Sequence, residues 1–208
     1  LEYCAARSAA TVIADNDALA TLFRDRYRRQ PVTVAYGGDH TLPEEPAPAD
    51  APQGHYLAVA RIEPENNTDM ILEACRQAGT PLVFIGNWNT TEYGRELRRL
   101  YADAVGLRLL DPIYAQAELN GWRAGAIGYI HGHSVGGTNP SLVEALFHSD
   151  RLLSFDCAFN RATLDNAGAY FTDVDALATL LRAPVAPIAR PRLEMLRDRY
   201  RWTTIVAR

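Results

Sequence analysis

The sequence contains no lysine; all 21 basic residues are Arg. That absence excludes a Lys nucleophile, a Schiff base and a P-loop Lys. Cysteine is scarce. Only Cys4, Cys75 and Cys157 are present, far apart and without a C-x-x-C spacing. Zinc-ribbon and dithiol chemistry are therefore excluded, and buried, reduced thiols in a cytoplasmic protein are the expectation. No basic stretch leads into an apolar run, so no signal peptide is expected. The longest stretch without formal charge, Ala124–Val143, carries two His and several Gly and is too polar to span a membrane. The net charge of -4 lacks the basic excess of a generic nucleic-acid binder.

What is present is globular. Of 208 residues, 48% are hydrophobic and 22% charged, enough to bury a core without disulfides or metals as staples. Asp15 or Asn16 is positioned to cap a helix from about Ala18 to Arg28, and Pro31–Asp39 alternates like a short strand ending in Gly-Gly. His40–Gly54 is Pro-rich and reads as a linker. From Gly54 the pattern becomes regular. Apolar runs at His55–Ala60, Pro81–Gly86, Leu107–Leu110, Ala126–Gly132, Arg151–Asp156 and Ala169–Thr172 alternate with helical periodicity at Asn67–Gly79, Thr91–Gly106, Tyr114–Gly125, Asn139–His148, from about Arg161, and at Asp173–Arg182. A second Pro-rich stretch, Ala183–Pro191, leads to a helix over Arg192–Arg208. Strands apolar on both faces that alternate with helices predict a doubly wound, mostly parallel, Rossmann-like α/β sheet with helical flanks. Ligands of such sheets sit beyond the C-terminal strand ends. A dehydrogenase domain has the same pattern, but no G-x-G-x-x-G follows the first strand.

Three strand ends carry residues suited to chemistry. Tyr129–Leu146 runs from a strand through Gly136 and Gly137 to a helix with Asn139 as cap and Pro140 in its first turn. Free N–H groups at Ser141, Leu142 and Val143 would suit a phosphate, and Glu144, one turn in, would accept ribose hydroxyls; an ordinary capped helix fits the same pattern. Arg61 directly follows a strand and suits a diphosphate, with a surface pair to Glu63 as the plainer reading. Phe84–Gly94 places Asn87 and Asn89 after a third strand. His131 and His133 would share a strand face, but spacing places no third metal ligand, so no metal is assigned. Trp88, Trp122 and Trp202 read as packing residues, with Trp88 the best sugar-platform exception.

The "GGTNPSLVEA" loop-helix, the "PLVFIGNW" strand and Arg61 together resemble the C-terminal, donor-binding domain of retaining GT-B glycosyltransferases, in particular a bacterial rhamnosyltransferase-like group. The resemblance covers nearly the whole chain. It implies transfer of a sugar from a nucleotide diphosphate sugar to a glycan or lipid-linked acceptor, as in polysaccharide biosynthesis, with no separate cofactor, in the cytoplasm or peripherally at the inner membrane face. Arg61 and Glu144 would be catalytic. Asn87, Ile113, Tyr114, His133, Ser134, Gly136, Gly137, Thr138, Asn139, Ser141 and Leu142 would line the donor. Two positions depart from the family: a Lys usual soon after the Arg is replaced by Asn66 or Asn67, and a Glu usual eight residues before Glu144 is Gly136. The resemblance divides the chain into a remnant of an N-terminal domain with linker (1–53), a donor-binding domain (54–185) and a returning C-terminal helix (186–208). It implies a partial chain, inactive without its acceptor-binding domain. A nucleotide-sugar epimerase and a non-catalytic nucleotide-sugar-binding module are the alternative readings.

Overall fold

The computed structural model describes residues 2–43 and 52–207. Residues 44–51 of the Pro-rich stretch and residue 208, the last of the expected C-terminal helix, lie outside the described residues. The N-terminal part comprises α1 (Glu2–Ser8), β1 (Ile13–Ala14), α2 (Asp17–Tyr27) and β2 (Val32–Thr33), with β1 and β2 paired in parallel. Asn16 caps α2, its side-chain oxygen accepting from the Ala18 N–H at 2.9 Å.

The regular part contains β3 (His55–Val59), α3 (Thr68–Ala78), β4 (Leu82–Ile85), α4 (Glu92–Leu100), β5 (Leu107–Leu110), α5 (Gln116–Gly125), β6 (Ala126–His131), α6 (Pro140–His148), β7 (Leu152–Phe155), α7 (Ala158–Leu164), β8 (Ala169–Phe171) and α8 (Val174–Arg182). The six strands form one all-parallel sheet in the order β5-β4-β3-β6-β7-β8. The order reverses between β3 and β6, so the connections leaving these two neighbours part and open a crevice at their C-terminal ends. Alternate side chains of the strands feed two cores. Ala58, Phe84, Ile130 and Leu153 pack on the α3–α8 side, and Leu57, Val83, Tyr129 and Leu152 on the α6 side. This double burial explains why the strands are continuous apolar runs.

The chain ends in α9 (Arg190–Arg199) and α10 (Trp202–Val206) instead of the single expected helix. Tyr200 is buried, with its hydroxyl donating to the Thr163 carbonyl, and the Trp202 N–H donates to Asp39 Oδ1 at 3.0 Å; these two anchors turn the chain. Leu193, Leu196 and Tyr200 join the α6-side core. The expected Thr91–Gly106 helix ends at Leu100, because residues 101–106 turn back to enter β5. α7 begins at Ala158, earlier than expected. Cys75 is buried, but Cys4 is exposed, contrary to the buried-thiol reading; its place on the short α1 leaves it in solvent.

Candidate functional site

Arg61 stands two residues beyond β3 with its side chain 70% exposed, 3.4 Å from Glu63. A short 3-10 turn, Pro64–Asn66, then leads into α3. Across the crevice, β6 ends at His131 and the chain runs through residues 132–139 into α6. Consecutive residues stitch the two loops together. The backbone N–H and hydroxyl of Ser134 both donate to the Glu65 carbonyl at 2.9 Å. Asn66 Oδ1 lies 2.7 Å from His133 Nδ1, and Asn67 Nδ2 donates to the Gly132 carbonyl at 2.7 Å. Asn66 also donates through Nδ2 to the Arg61 carbonyl at 2.8 Å. One buried amide thus holds both the backbone of Arg61 and the ring of His133. Asn67 adopts a left-handed conformation (φ 48°), which Asn tolerates better than most residues.

The Gly-rich turn is shaped by the N-terminal segment. Gly136 has φ +96°, a conformation that favours glycine. Gly137 faces the Asp15 carboxylate so closely that any Cβ would overlap it. Asp15 accepts from the Thr138 N–H at 3.3 Å and, through its carbonyl, from the Thr138 hydroxyl at 2.5 Å. Buried Asn16 donates from Nδ2 to the hydroxyls of Thr138 and Thr163, tying α2, the turn and α7 together.

The expected free donors at the start of α6 are not free. Asn139 accepts from the Ser141 N–H through Oδ1 at 3.1 Å, and from the Leu142 and Val143 N–H groups through its carbonyl at 3.1 and 3.2 Å. A well-formed N-cap uses the donors that a phosphate needs. Among the described residues, no acceptor takes the N–H of Gly136 or Gly137, so the donors that remain belong to the turn. The Leu142 side chain lies in the core, and the Ser141 hydroxyl donates to Asn139 Oδ1.

Glu144, in the second turn of α6, is ion-paired through Oε2 with the buried Arg123 of α5. Its other oxygen lies 3.9 Å from His40 Nε2. Arg123 donates its remaining contact to Asn120 Oδ1 at 3.2 Å. Asn87 accepts from the Ile62 N–H at 2.7 Å and pins the segment after Arg61 to the end of β4. Ile113 is half-buried against the core and Tyr114 almost fully exposed, both on the loop before α5. Trp88 is fully buried and donates to the Leu110 carbonyl at 2.9 Å, so it packs the core and offers no platform.

Burial sets the protonation of the histidines. His131 is buried, its Nε2 has no hydrogen-bond partner, and its pKa is pushed down to about 3 by burial and by neighbouring His133. Burial lowers His133 as well, opposed by the charge of Glu65 and reinforced by Arg61; the Val135 carbonyl and Glu63 also favour its charged form. Among the described residues no three His, Cys, Asp or Glu come together as a metal site. The loops that leave β3 and β6 thus carry an imidazole whose pKa is lowered by burial, an exposed guanidinium and two backbone donors without an acceptor among the described residues. This set suits an anionic group with hydroxyls attached.

Arg61, the turn and Glu144 stand out in the sequence as residue types at strand ends; Asp15 stands out only as a candidate cap, and Arg123 not at all. Asn16 was legible as a cap and not as the link to Thr138 and Thr163. Asn66 stood out only by its lack of charge.

No protein-family model matches the sequence, and no curated protein matches it. Solved structures do match the fold. The chain aligns over 99% of its length with 58% of sucrose-phosphate synthase from Thermosynechococcus elongatus (TM-score 0.79, 15% identity). It aligns over 97% with 62% of HepE from Anabaena, solved with UDP and glucose (TM-score 0.75, 15% identity). It aligns over 99% with 45% of the pneumococcal O-GlcNAc transferase GtfA, solved with UDP and GlcNAc (TM-score 0.72, 13% identity). The chain spans about half the length of the structures it matches. Its parallel, Rossmann-like architecture corresponds to one part of the GT-B fold of these structures. The rhamnosyltransferase-like subgroup is not distinguished by these structures. No helix among the described residues is long and apolar enough to cross a membrane.

Proposed function

We propose that this chain is the donor-binding half of a glycosyltransferase and that it holds a nucleotide diphosphate sugar in the crevice between β3 and β6. The observation that carries the reading is the stitched crevice itself. Where the strand order reverses, Asn66 holds both the Arg61 backbone and the His133 ring that lies along the Gly136 turn, and the N–H groups of Gly136 and Gly137 have no acceptor among the described residues. Arg61 and the turn stabilise the departing diphosphate, a task for preorganised donors. The Glu144 oxygen turned away from Arg123, which faces His40, accepts ribose hydroxyls, and Ile113 and Tyr114 border the base. Asn87 positions the loop after Arg61, while Ser134, Thr138, Asn139, Ser141 and Leu142 shape the turn.

The finer reading is transfer with retention of a rhamnose-type sugar to a glycan or lipid-linked acceptor, in the cytoplasm or at the inner membrane face. The acceptor is bound by further protein, so the 208 residues alone bind donor without turning it over. Calorimetric titration with a nucleoside, its diphosphate and its diphosphate sugar tests the reading. Affinity should rise at the diphosphate step, and a flat series excludes the proposal.

A further inference from the structure

We infer that Asn66 is a positioning residue that fixes His133 as a hydrogen-bond acceptor, presenting bare Nε2 beside the Gly136 turn to a hydroxyl of the donor sugar. The hydroxyl rests on the glycosyl-donor reading above; the hydrogen on Nδ1 follows from the Asn66 contacts, and the neutrality of the ring from its burial.

A carbonyl oxygen can only accept a hydrogen bond. The Asn66 atom 2.8 Å from the Arg61 carbonyl is therefore the amide nitrogen. The amide oxygen must then be the atom 2.7 Å from His133 Nδ1. That oxygen also can only accept, so Nδ1 carries the hydrogen. Both the amide orientation and the tautomer follow from the two contacts together. The Val135 carbonyl also acts on the ring and favours its charged form, but burial outweighs it, and a ring kept neutral with its hydrogen on Nδ1 leaves Nε2 without one.

That nitrogen lies 3.5 Å from the point where a Cβ of residue 136 would stand, so the turn runs alongside it. The arrangement is held firmly. Asn66 is buried, and its neighbours Glu65 and Asn67 fasten the same loop through Ser134 and Gly132. The His133 carbonyl is fixed in turn by Asn160 Nδ2 at 2.8 Å. A bare imidazole nitrogen offers nothing to a phosphate oxygen, which also only accepts. It selects an O–H donor. The crevice thus divides its work: Arg61 and the turn N–H groups take the diphosphate, and His133 reads a sugar hydroxyl.

Long-range proton–nitrogen spectra of the 208-residue chain at neutral pH test this, with His133→Gln assigning the ring signals. The wild type should show the Nδ1–H tautomer. Asn66→Ala should move the ring toward Nε2–H while the backbone spectrum elsewhere is kept. Binding is then measured for UDP-glucose, UDP-N-acetylglucosamine, GDP-mannose and dTDP-rhamnose. For the tightest of these, Asn66→Ala should weaken the sugar nucleotide ~3–10-fold and leave its parent diphosphate nearly unchanged, the effect of one hydrogen bond. A wild-type ring that is Nε2–H or doubly protonated overturns the inference without any ligand. Equal losses for sugar nucleotide and diphosphate make Asn66 a structural residue only and overturn it as well. If no sugar nucleotide binds although the tautomer is as stated, the glycosyl-donor reading fails and takes the hydroxyl role with it.

Discussion

Replacing Glu144 by Ala leaves a buried guanidinium without its counter-charge. Arg123 is 6% exposed, and apart from Glu144 its side chain reaches Asn120 Oδ1. Its place in the last turn of α5 favours a cation, but only weakly. Breaking a buried pair from one side typically costs ~3–5 kcal/mol. The Glu144 side chain is 23% exposed, so water can enter the space it vacates and reduce the penalty. We therefore expect Glu144→Ala to lower stability by about 2–3 kcal/mol, a large share of the ~5–15 kcal/mol typical of a folded protein. Glu144→Gln keeps an acceptor and should cost about 1 kcal/mol. Arg123→Met should cost less than Glu144→Ala, because a carboxylate that already reaches solvent rehydrates more easily than a buried guanidinium. Urea unfolding of the three single variants and of the double variant measures these values and their coupling. Unchanged stability in Glu144→Ala, or a larger loss in Arg123→Met, would show that the buried guanidinium does not depend on Glu144. The same series protects the functional test. Glu144→Gln, which should fold, is the variant in which a lost preference for ribose over 2′-deoxyribose reports the proposed contact.

Arg61→Ala should weaken a nucleoside diphosphate by ~1.5–3 kcal/mol and leave the nucleoside unaffected, with Arg61→Lys recovering only part; calorimetry showing equal losses for both ligands would make Arg61 a surface residue. Asp15→Asn removes a negative charge from the Gly137 turn and should tighten diphosphate binding about threefold or more, since like charges there oppose it; unchanged or weaker binding in titrations would show that Asp15 serves only to hold Thr138. Acid should destabilise the fold before the carboxylates titrate. Burial, followed by the nearby Arg123, pushes the His148 pKa down to about 4, against the ordinary 6.5, while the Thr41 backbone contact opposes the shift and Arg197 adds to it. Buried His131 sits at about 3. Both stay neutral when folded, so their stability is fully present above pH 6.5 and is lost as pH falls toward 4, by at most ~3 kcal/mol for His148. Unfolding free energies followed from pH 7 to pH 4 in the wild type and in His148→Asn should show a shallower decline in the variant; parallel curves would remove His148 from this account.

The sheet was legible in the sequence because parallel strands buried on both faces leave continuous apolar runs, and His55–Val59 and Leu82–Ile85 are such runs. Caps were legible too, since Asn139-Pro140 and Asn16 carry local signals that need no distant partner. Boundaries decided by tertiary anchors were not. The amphipathic pattern runs on past Leu100, and the helical pattern runs through Tyr200, yet the chain turns at both places. The same limit applied at the site. Arg61 and Gly136 were conspicuous as residue types at strand ends. The bonds that organise them join Asn66 to His133, Asp15 to Thr138 and Arg123 to Glu144, pairs far apart in the chain whose meeting depends on the strand order. The free N–H groups expected at Ser141, Leu142 and Val143 failed for a related reason: the features that mark a helix start also satisfy its donors.

A nucleotide diphosphate sugar held in the proposed crevice between β3 and β6 must perturb the backbone that lines it. Mapping backbone amide shifts of the 208-residue chain during titration with the same four sugar nucleotides tests this occupancy most directly. Saturable shifts are expected at Arg61, Gly136, Gly137 and Thr138 for at least one of them, with smaller shifts for the parent nucleoside. Shifts confined to the opposite end of the sheet, around the cavity of about 790 Å³ lined by Arg151, Arg190 and Arg197, or no saturable shifts with any of the four, would contradict that occupancy.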